Sequence, residues 1–198
     1  MGWSLDERRG HLIDAAVQLA ADRGLEHLTL RSAADVAGVS WDTARESFHD
    51  HTDLLRAVSV AVTARNVPTA EVDLSGDGSF EDRALVVAQR FWDLLTSDRE
   101  LQLVSFEIAV LGLRRTALRP LVAGQQDDQR ELAEQVLRSF AEQNGFTWSR
   151  PVVEVARFVA TFLDGLTTAW LVDADQDAAT VQLGMLVQVL ATFVEEPS

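Results

Sequence analysis

The chain has no cysteine, which removes disulfides, thiol catalysis and cysteine-based metal centres together. It has no lysine either, so all 17 basic residues are arginine. A preference spread over a whole chain marks no particular site. Acids number 31 against those 17 bases, and the net charge of −14 argues against general affinity for nucleic acid, because phosphate neutralisation supplies most non-specific binding. No stretch reaches the roughly 18 uninterrupted apolar residues of a membrane span. Met1 to Glu7 carries no apolar export core, so a cytoplasmic protein is expected. Repeats and low-complexity tracts are lacking. So are a Gly-x-Ser-x-Gly elbow, a phosphate-binding glycine loop and a dinucleotide fingerprint, and no cofactor is expected. The histidines, His11, His27, His49 and His51, never form a His-Glu-x-x-His pair; His49 and His51, two apart, would diverge on a helix. No metal site and no catalytic residue is expected. The acidic pairs Asp127-Asp128 and Glu195-Glu196 read as solvated surface.

What is present is helical periodicity. The 198 residues are 47% apolar and 24% charged, enough to bury a core and unlike a disordered chain. Ser4 with Glu7 reads as a capping box opening a first helix, whose stripe is Leu12, Ile13, Ala16, Leu19 and Ala20, with Gly24 as its stop. Short helices over Leu30 to Ala37 and Trp41 to Ser47 follow, then one from about Asp50 to Asn66. Val67 to Ser79, with Pro68, Gly76 and Gly78, reads as a loop. Ser79 with Asp82 restarts a helix carrying Phe91, Trp92 and Leu95, and Ser97 with Glu100 caps the next. A long helix from about Ala117 to Gln143 ends at Asn144 and Gly145. The last two span Pro151 to Val172 and Ala178 to Val194. The expectation is an all-α fold of about nine helices with no strand.

Leu28 to Leu55 has the layout of a helix-turn-helix. Thr29 is placed to cap the first helix, with Leu30, Ala33, Val36 and Ala37 inward and Ala34 small enough for close approach. Gly38 stands where the turn needs positive φ, Val39 plugs the corner and Ser40 caps the second helix. Ala44 and Phe48 point back into the small core. Trp41, Asp42, Thr43, Arg45 and Glu46 are left exposed.

In LIDAAVQLAADRG, LTLRSAADVAGVS and Phe48 to Leu55 the sequence resembles the TetR family of bacterial transcription regulators; LDGLTTAWLVD, Leu163 to Asp173, is similar to that family's penultimate helix. The resemblance implies that Trp41 to Ser47 is a recognition helix in the DNA major groove. It also implies a two-fold dimer whose remaining helices enclose an effector pocket. Residues 1–56 would then form the DNA-binding domain and 57–198 the effector-binding and dimerisation domain. Thr43 and Arg45 would meet bases or phosphate and Trp41 thymine methyls, while Thr29, Arg31, Ser40 and His51 would hold the DNA backbone. The chain departs from the family at Trp41-Asp42 (commonly Lys-Gly), Arg45 (commonly Tyr), Glu46 (commonly aromatic or basic) and His51 (commonly Lys). Asp42 and Glu46 would be repelled by phosphate. Over residues 1–56 six arginines face ten acids, a net of −4, so few phosphate contacts are expected.

The penultimate helix is apolar almost all round, with Val152, Val155, Phe158, Val159, Phe162, Leu163, Leu166, Trp170 and Leu171. The last helix has Val181, Leu183, Leu186, Val187, Leu190, Phe193 and Val194, again wider than one stripe. A homodimer through these two helices is expected. Trp92, Phe106, Val110, Phe162 and Trp170 are candidate effector contacts. Glu107 interrupts an apolar run, so it either snorkels to solvent or is a pocket carboxylate needing a partner. The sequence reads as a ligand-responsive repressor released from a palindromic operator by a small apolar molecule. A ligand-binding or interaction module with weak or lost DNA binding stays open, as does an all-helical enzyme, for which no motif speaks.

Overall fold

The structure, a computed structural model, describes residues 4–66, 74 and 78–195. Most of the expected 67–79 loop lies outside the described residues. Among those described are nine α-helices: α1 Leu5–Arg23, α2 Leu30–Ala37, α3 Trp41–Ser47, α4 His51–Asn66, α5 Phe80–Thr96, α6 Arg99–Arg114, α7 Arg119–Asn144, α8 Val152–Asp173 and α9 Gln176–Ala191. A 3-10 turn at Leu25–His27, which periodicity did not reveal, links α1 to α2.

Local chemistry accounts for most helix starts. Ser4 and Glu7, Thr29 and Ser32, and Ser79 and Asp82 each form a reciprocal capping box, satisfying two otherwise orphaned backbone donors. The start of α6 differs from expectation. Asp98 caps it, accepting from the Leu101 N–H at 2.9 Å, while the Ser97 hydroxyl turns back to the Leu94 carbonyl at 2.7 Å. The chain also contains a small ladder that was not expected. β1 Thr147–Trp148 pairs antiparallel with β2 Val194–Glu195, so the last helix ends at Ala191 instead of running on to Val194.

The chain divides into two compact units. Met1–Val67 with Asp98–Gln125 forms one, and Pro68–Ser97 with Gln126–Ser198 the other. In the first, α1 to α4 share one core with α6 and the start of α7: Leu12, Ala16, Leu28, Ala33, Ala44, Phe48, Leu54 and Val58 pack with Val104, Ile108, Leu118 and Val122. Residue 56 falls inside α4, whose Leu54, Leu55, Val58 and Val62 are all buried in this core.

Two apolar clusters stand out among the described residues of the second unit. Phe80, Phe140, Phe146 and Trp148 meet edge to face at 5.1–6.1 Å, an arrangement favoured by the ring quadrupoles. Leu137, Val155, Ala156, Leu186 and Leu190 form the other. By length and composition α8 is apolar enough to cross a membrane. In the fold it packs on α9, with Val155, Ala156, Leu166, Trp170 and Leu171 buried. Leu183, Leu186, Val187 and Leu190 of α9 all turn inward, whereas Val181, Met185 and Val189 face out. The two apolar faces of α9 are therefore distinct surfaces.

Candidate nucleic-acid interface and effector residues

The helix-turn-helix is built from α2 and α3. Thr29 Oγ1 accepts from the Ser32 N–H at 3.0 Å and Ser32 Oγ from the Thr29 N–H at 2.9 Å, fixing where α2 begins. Gly38 ends α2 at φ 65°, a left-handed conformation that a side chain would strain. The Val39 N–H then returns to the Ala34 carbonyl at 3.1 Å. Ser40 Oγ accepts from the Thr43 N–H at 3.2 Å and lies 2.9 Å from Thr43 Oγ1, starting α3. Ala33 and Ala34 of α2 and Ala44 of α3 are buried, so the two short helices approach through small side chains, with Phe48 buried beside them. Val36, expected to face inward, is exposed because it lies off the side of α2 that Ala33 and Ala34 define.

The corner leading to α4 is held electrostatically. Arg9 of α1 donates to the Ser47 carbonyl and to Asp53 Oδ1 at 3.2 Å, and its guanidinium lies 4.3 Å from the Phe48 ring centre. Asp53 also accepts from the His49 N–H at 3.1 Å, and Asp50 accepts from the Asp53 N–H at 2.8 Å. Burial alone would raise the Asp53 carboxyl. The His49 N–H and the charges of Arg9 and Arg56 outweigh it and hold the group below the usual carboxylate range. Arg9 thus serves the corner.

Of the expected DNA contacts, the structure brings two together. Arg31, at the start of α2, places its guanidinium 5.3 Å from the Trp41 ring. Trp41 is 41% exposed despite this stacking. Thr29, Ser40 and Thr43 are engaged in caps, and Arg45 is exposed on α3. His51 is half-buried at the start of α4. Burial and the nearby Arg115 charge lower its pKa against the opposing pull of Asp50, so it is neutral at pH 7.

The expected effector residues separate. In the first unit Phe106 is half-buried on α6 and Val110 is exposed. Glu107 Oε2 accepts from the Leu25 N–H at 2.7 Å, so its carboxylate pins the 3-10 turn to α6. In the second unit Trp92 and Trp170 meet edge to face at 6.0 Å, and the Trp92 indole N–H donates to Gln176 Oε1 at 2.9 Å. Phe162 is half-buried and tilted against Phe158, with centroids 6.4 Å apart.

Sequence reasoning missed two polar features. Gln125 of α7 donates to Ser59 Oγ at 2.8 Å and to Thr63 Oγ1, tying α7 to α4. Asp164 sits half-buried in α8, where burial raises its pKa, opposed by the Gln126 amide 3.3 Å away and by Arg130. An acid inside the most apolar helix of the chain was the available signal.

The helix-turn-helix is packed in one core with α1, α4, α6 and the start of α7, the layout of an all-helical helix-turn-helix fold. No family model matches the chain. It is 26% identical over 173 residues to the nicotine-responsive HTH-type transcriptional repressor HdnoR of Paenarthrobacter nicotinovorans, covering 84% of this chain and 85% of that protein. Among solved structures, a transcriptional regulator from a Rhodococcus species superposes with a TM-score of 0.74 at 17% identity over 96% of this chain and 99% of that one. A Rhodococcus protein assigned to the TetR family gives 0.71 at 22% identity, covering 93% of this chain and 98% of the other. The multidrug-binding protein EbrR in complex with ethidium gives 0.69 at 23%, covering 93% and 99%. The chain has the fold of the TetR-family transcriptional regulators.

Proposed function

We propose that the chain is a ligand-responsive DNA-binding repressor that acts as a homodimer in the cytoplasm and is released from a palindromic operator by a small, mainly apolar molecule. The observation that carries this reading is the complete helix-turn-helix, from the Thr29 cap through Gly38 to the Ser40 cap, with an exposed face on α3. A repressor 26% identical over most of the chain supports it. Residues 1–56 carry DNA contact, with Thr29, Arg31, Ser40, Trp41, Thr43, Arg45 and a neutral His51 at the interface. Residues 57–198 carry the effector and the dimer.

Trp92, Phe162 and Trp170 are the effector contacts this reading favours. HdnoR is named for its response to nicotine and EbrR was crystallised with imidazole and with ethidium, so nitrogen heterocycles are the natural probes. The dimer forms through the outward faces of α8 and α9, where Val153, Phe158, Val172, Val181, Met185 and Val189 leave apolar surface exposed. The chain is a regulator and not an enzyme. The acidity of α3 favours a second reading, a binding module that has lost DNA affinity.

Fluorescence anisotropy with labelled DNA from upstream of the chain's own gene separates the two. The repressor reading expects binding well above that to scrambled duplex, weakened by nicotine or ethidium. A switch requires different ligand affinities in the DNA-bound and released states. Equal binding to both duplexes sinks the repressor reading and leaves the module.

A further inference from the structure

We infer that Glu46 and Asp42 are the base-selecting residues of this recognition helix, accepting hydrogen bonds from cytosine N4 or adenine N6 amino groups in the major groove. This rests on the DNA-binding reading above. Ala44 and Phe48 fix which side of α3 is inward, since both are fully buried. With 3.6 residues per turn, Asp42 and Glu46 lie about 160° and about 200° from Ala44, at the centre of the opposite face. Arg45 and Thr43 flank them. Thr43 already shares its hydroxyl with the Ser40 cap. Asp42, Arg45 and Glu46 are exposed and have no partner among the described residues.

If α3 enters a groove by its outward face, these two carboxylates therefore enter first. The groove walls are phosphates, which repel them, and a carboxylate stripped of water without a donor costs several kcal/mol or more. Only two kinds of donor project from base edges in the major groove, the N4 amino group of cytosine and the N6 amino group of adenine. Guanine and thymine present acceptors at the corresponding places and are rejected. Arg45, beside Glu46 and unpaired, is matched to guanine O6 and N7. The acids also penalise every register in which they face phosphate or a wrong base, so they act against non-specific binding as well as for the chosen site. The acidic head then gives weak binding to DNA in general and a large ratio in favour of its own operator.

The test is selection of bound duplexes from a randomised pool by the full-length protein and by Glu46→Gln, Asp42→Asn and Arg45→Ala, with affinities of single-base variants measured afterwards. All three substitution sites are exposed, and circular dichroism melting checks that each variant is folded. The wild type should enrich a cytosine or adenine at a fixed position in each half-site. Replacing that base should weaken binding on the order of 5- to 100-fold. In Glu46→Gln, Asp42→Asn or both, the penalty at that position should collapse while affinity for scrambled DNA rises. A wild type that enriches a clear operator whose base profile is unchanged in both acid variants overturns the inference and leaves the repressor reading standing. A folded wild type that enriches nothing overturns both.

Discussion

Gly112 of α6 leaves no room for a Cβ against Val122 of α7, and the effect of its replacement by alanine can be worked out. A Cβ built there lies 2.2 Å from Val122 Cγ2 and 3.1 Å from Val122 Cβ, with the Leu118 carbonyl 3.6 Å away. Real Cβ atoms do not approach so closely, so Val122 must move. Val122 is buried and β-branched, and in a helix its χ1 is nearly fixed, which leaves movement of α6 against α7 as the escape. Overpacking of this kind costs about 1–3 kcal/mol. Against it stands the helix propensity gained when glycine becomes alanine, about 1 kcal/mol. The expected net loss for Gly112→Ala is about 0–2 kcal/mol. Gly124 of α7 is the internal control, since a Cβ there meets nothing within 4 Å. Gly124→Ala should therefore gain about 1 kcal/mol. Urea denaturation followed by circular dichroism reads both changes as midpoint shifts at constant slope. Adding Val122→Ala to Gly112→Ala should recover part of the loss, with a coupling of about 0.5–3 kcal/mol. If Gly112→Ala raises the midpoint as much as Gly124→Ala does, α6 and α7 do not meet as described and the reasoning fails.

Three further outcomes are expected. Asp164→Asn should raise the melting temperature at pH 7, because burial disfavours the ionised carboxyl; the raised folded pKa means the wild type gains stability as pH falls through it, so the advantage of the variant should shrink in acid. An advantage that is absent at neutral pH, or that grows in acid, would refute this. Arg9→Ala should cost about 1–3 kcal/mol by removing the Ser47, Asp53 and Phe48 contacts, yet leave the salt slope of operator binding unchanged, whereas Arg45→Ala flattens that slope by about two units per dimer if it meets phosphate. A slope reduced in Arg9→Ala would make Arg9 a phosphate contact and refute its purely structural role. Met185→Glu should yield folded monomers by light scattering and Leu186→Glu a destabilised chain, because only the first faces out; a monomeric wild type at micromolar concentration would sink the dimer face.

How much of this was legible in the sequence follows the range of the interactions. The capping boxes at Ser4 and Ser79, the short helices α2 and α3, and the Gly38 turn depend on residues within a few positions of one another, and these were readable. Even there a near tie was misplaced. Ser97 and Asp98 are both good caps, and only the geometry shows that the aspartate takes the role. The end of α9 was unreadable from local pattern, since Val194 leaves the helix to pair with Trp148 across the chain. Periodicity also showed that α9 is apolar too widely, but not that Leu186 turns in while Met185 turns out. Glu107 illustrates the same limit. Its place in an apolar run marked it as unusual, but its partner is a backbone N–H 82 residues away. Trp92 and Trp170, chosen separately for their apolar bulk, meet in the fold, whereas Phe106 and Val110 belong to the other unit.

The net charge of the head is a poor guide to what it meets, because its charges have been divided between structure and surface. Glu7 is spent on the α1 cap, and Asp50 on the α4 cap. Asp53 is paired with Arg9, and Asp14 with Arg65 at 2.5 Å. Arg56 donates to the Ala117 carbonyl at 3.2 Å. The ion pairs offset one another, while Glu7, Asp50 and Arg56 keep their charge but are held in place by backbone groups. The helix-turn-helix itself presents Asp42, Arg45 and Glu46 on the outward face of α3, with the stacked Arg31 beside Trp41. That surface holds two acids and two arginines, so its balance is close to neutral while the whole chain is strongly negative. Affinity for any partner at this face therefore depends on how hydrogen-bond donors and acceptors are matched one by one, and much less on the summed charge that the composition reports.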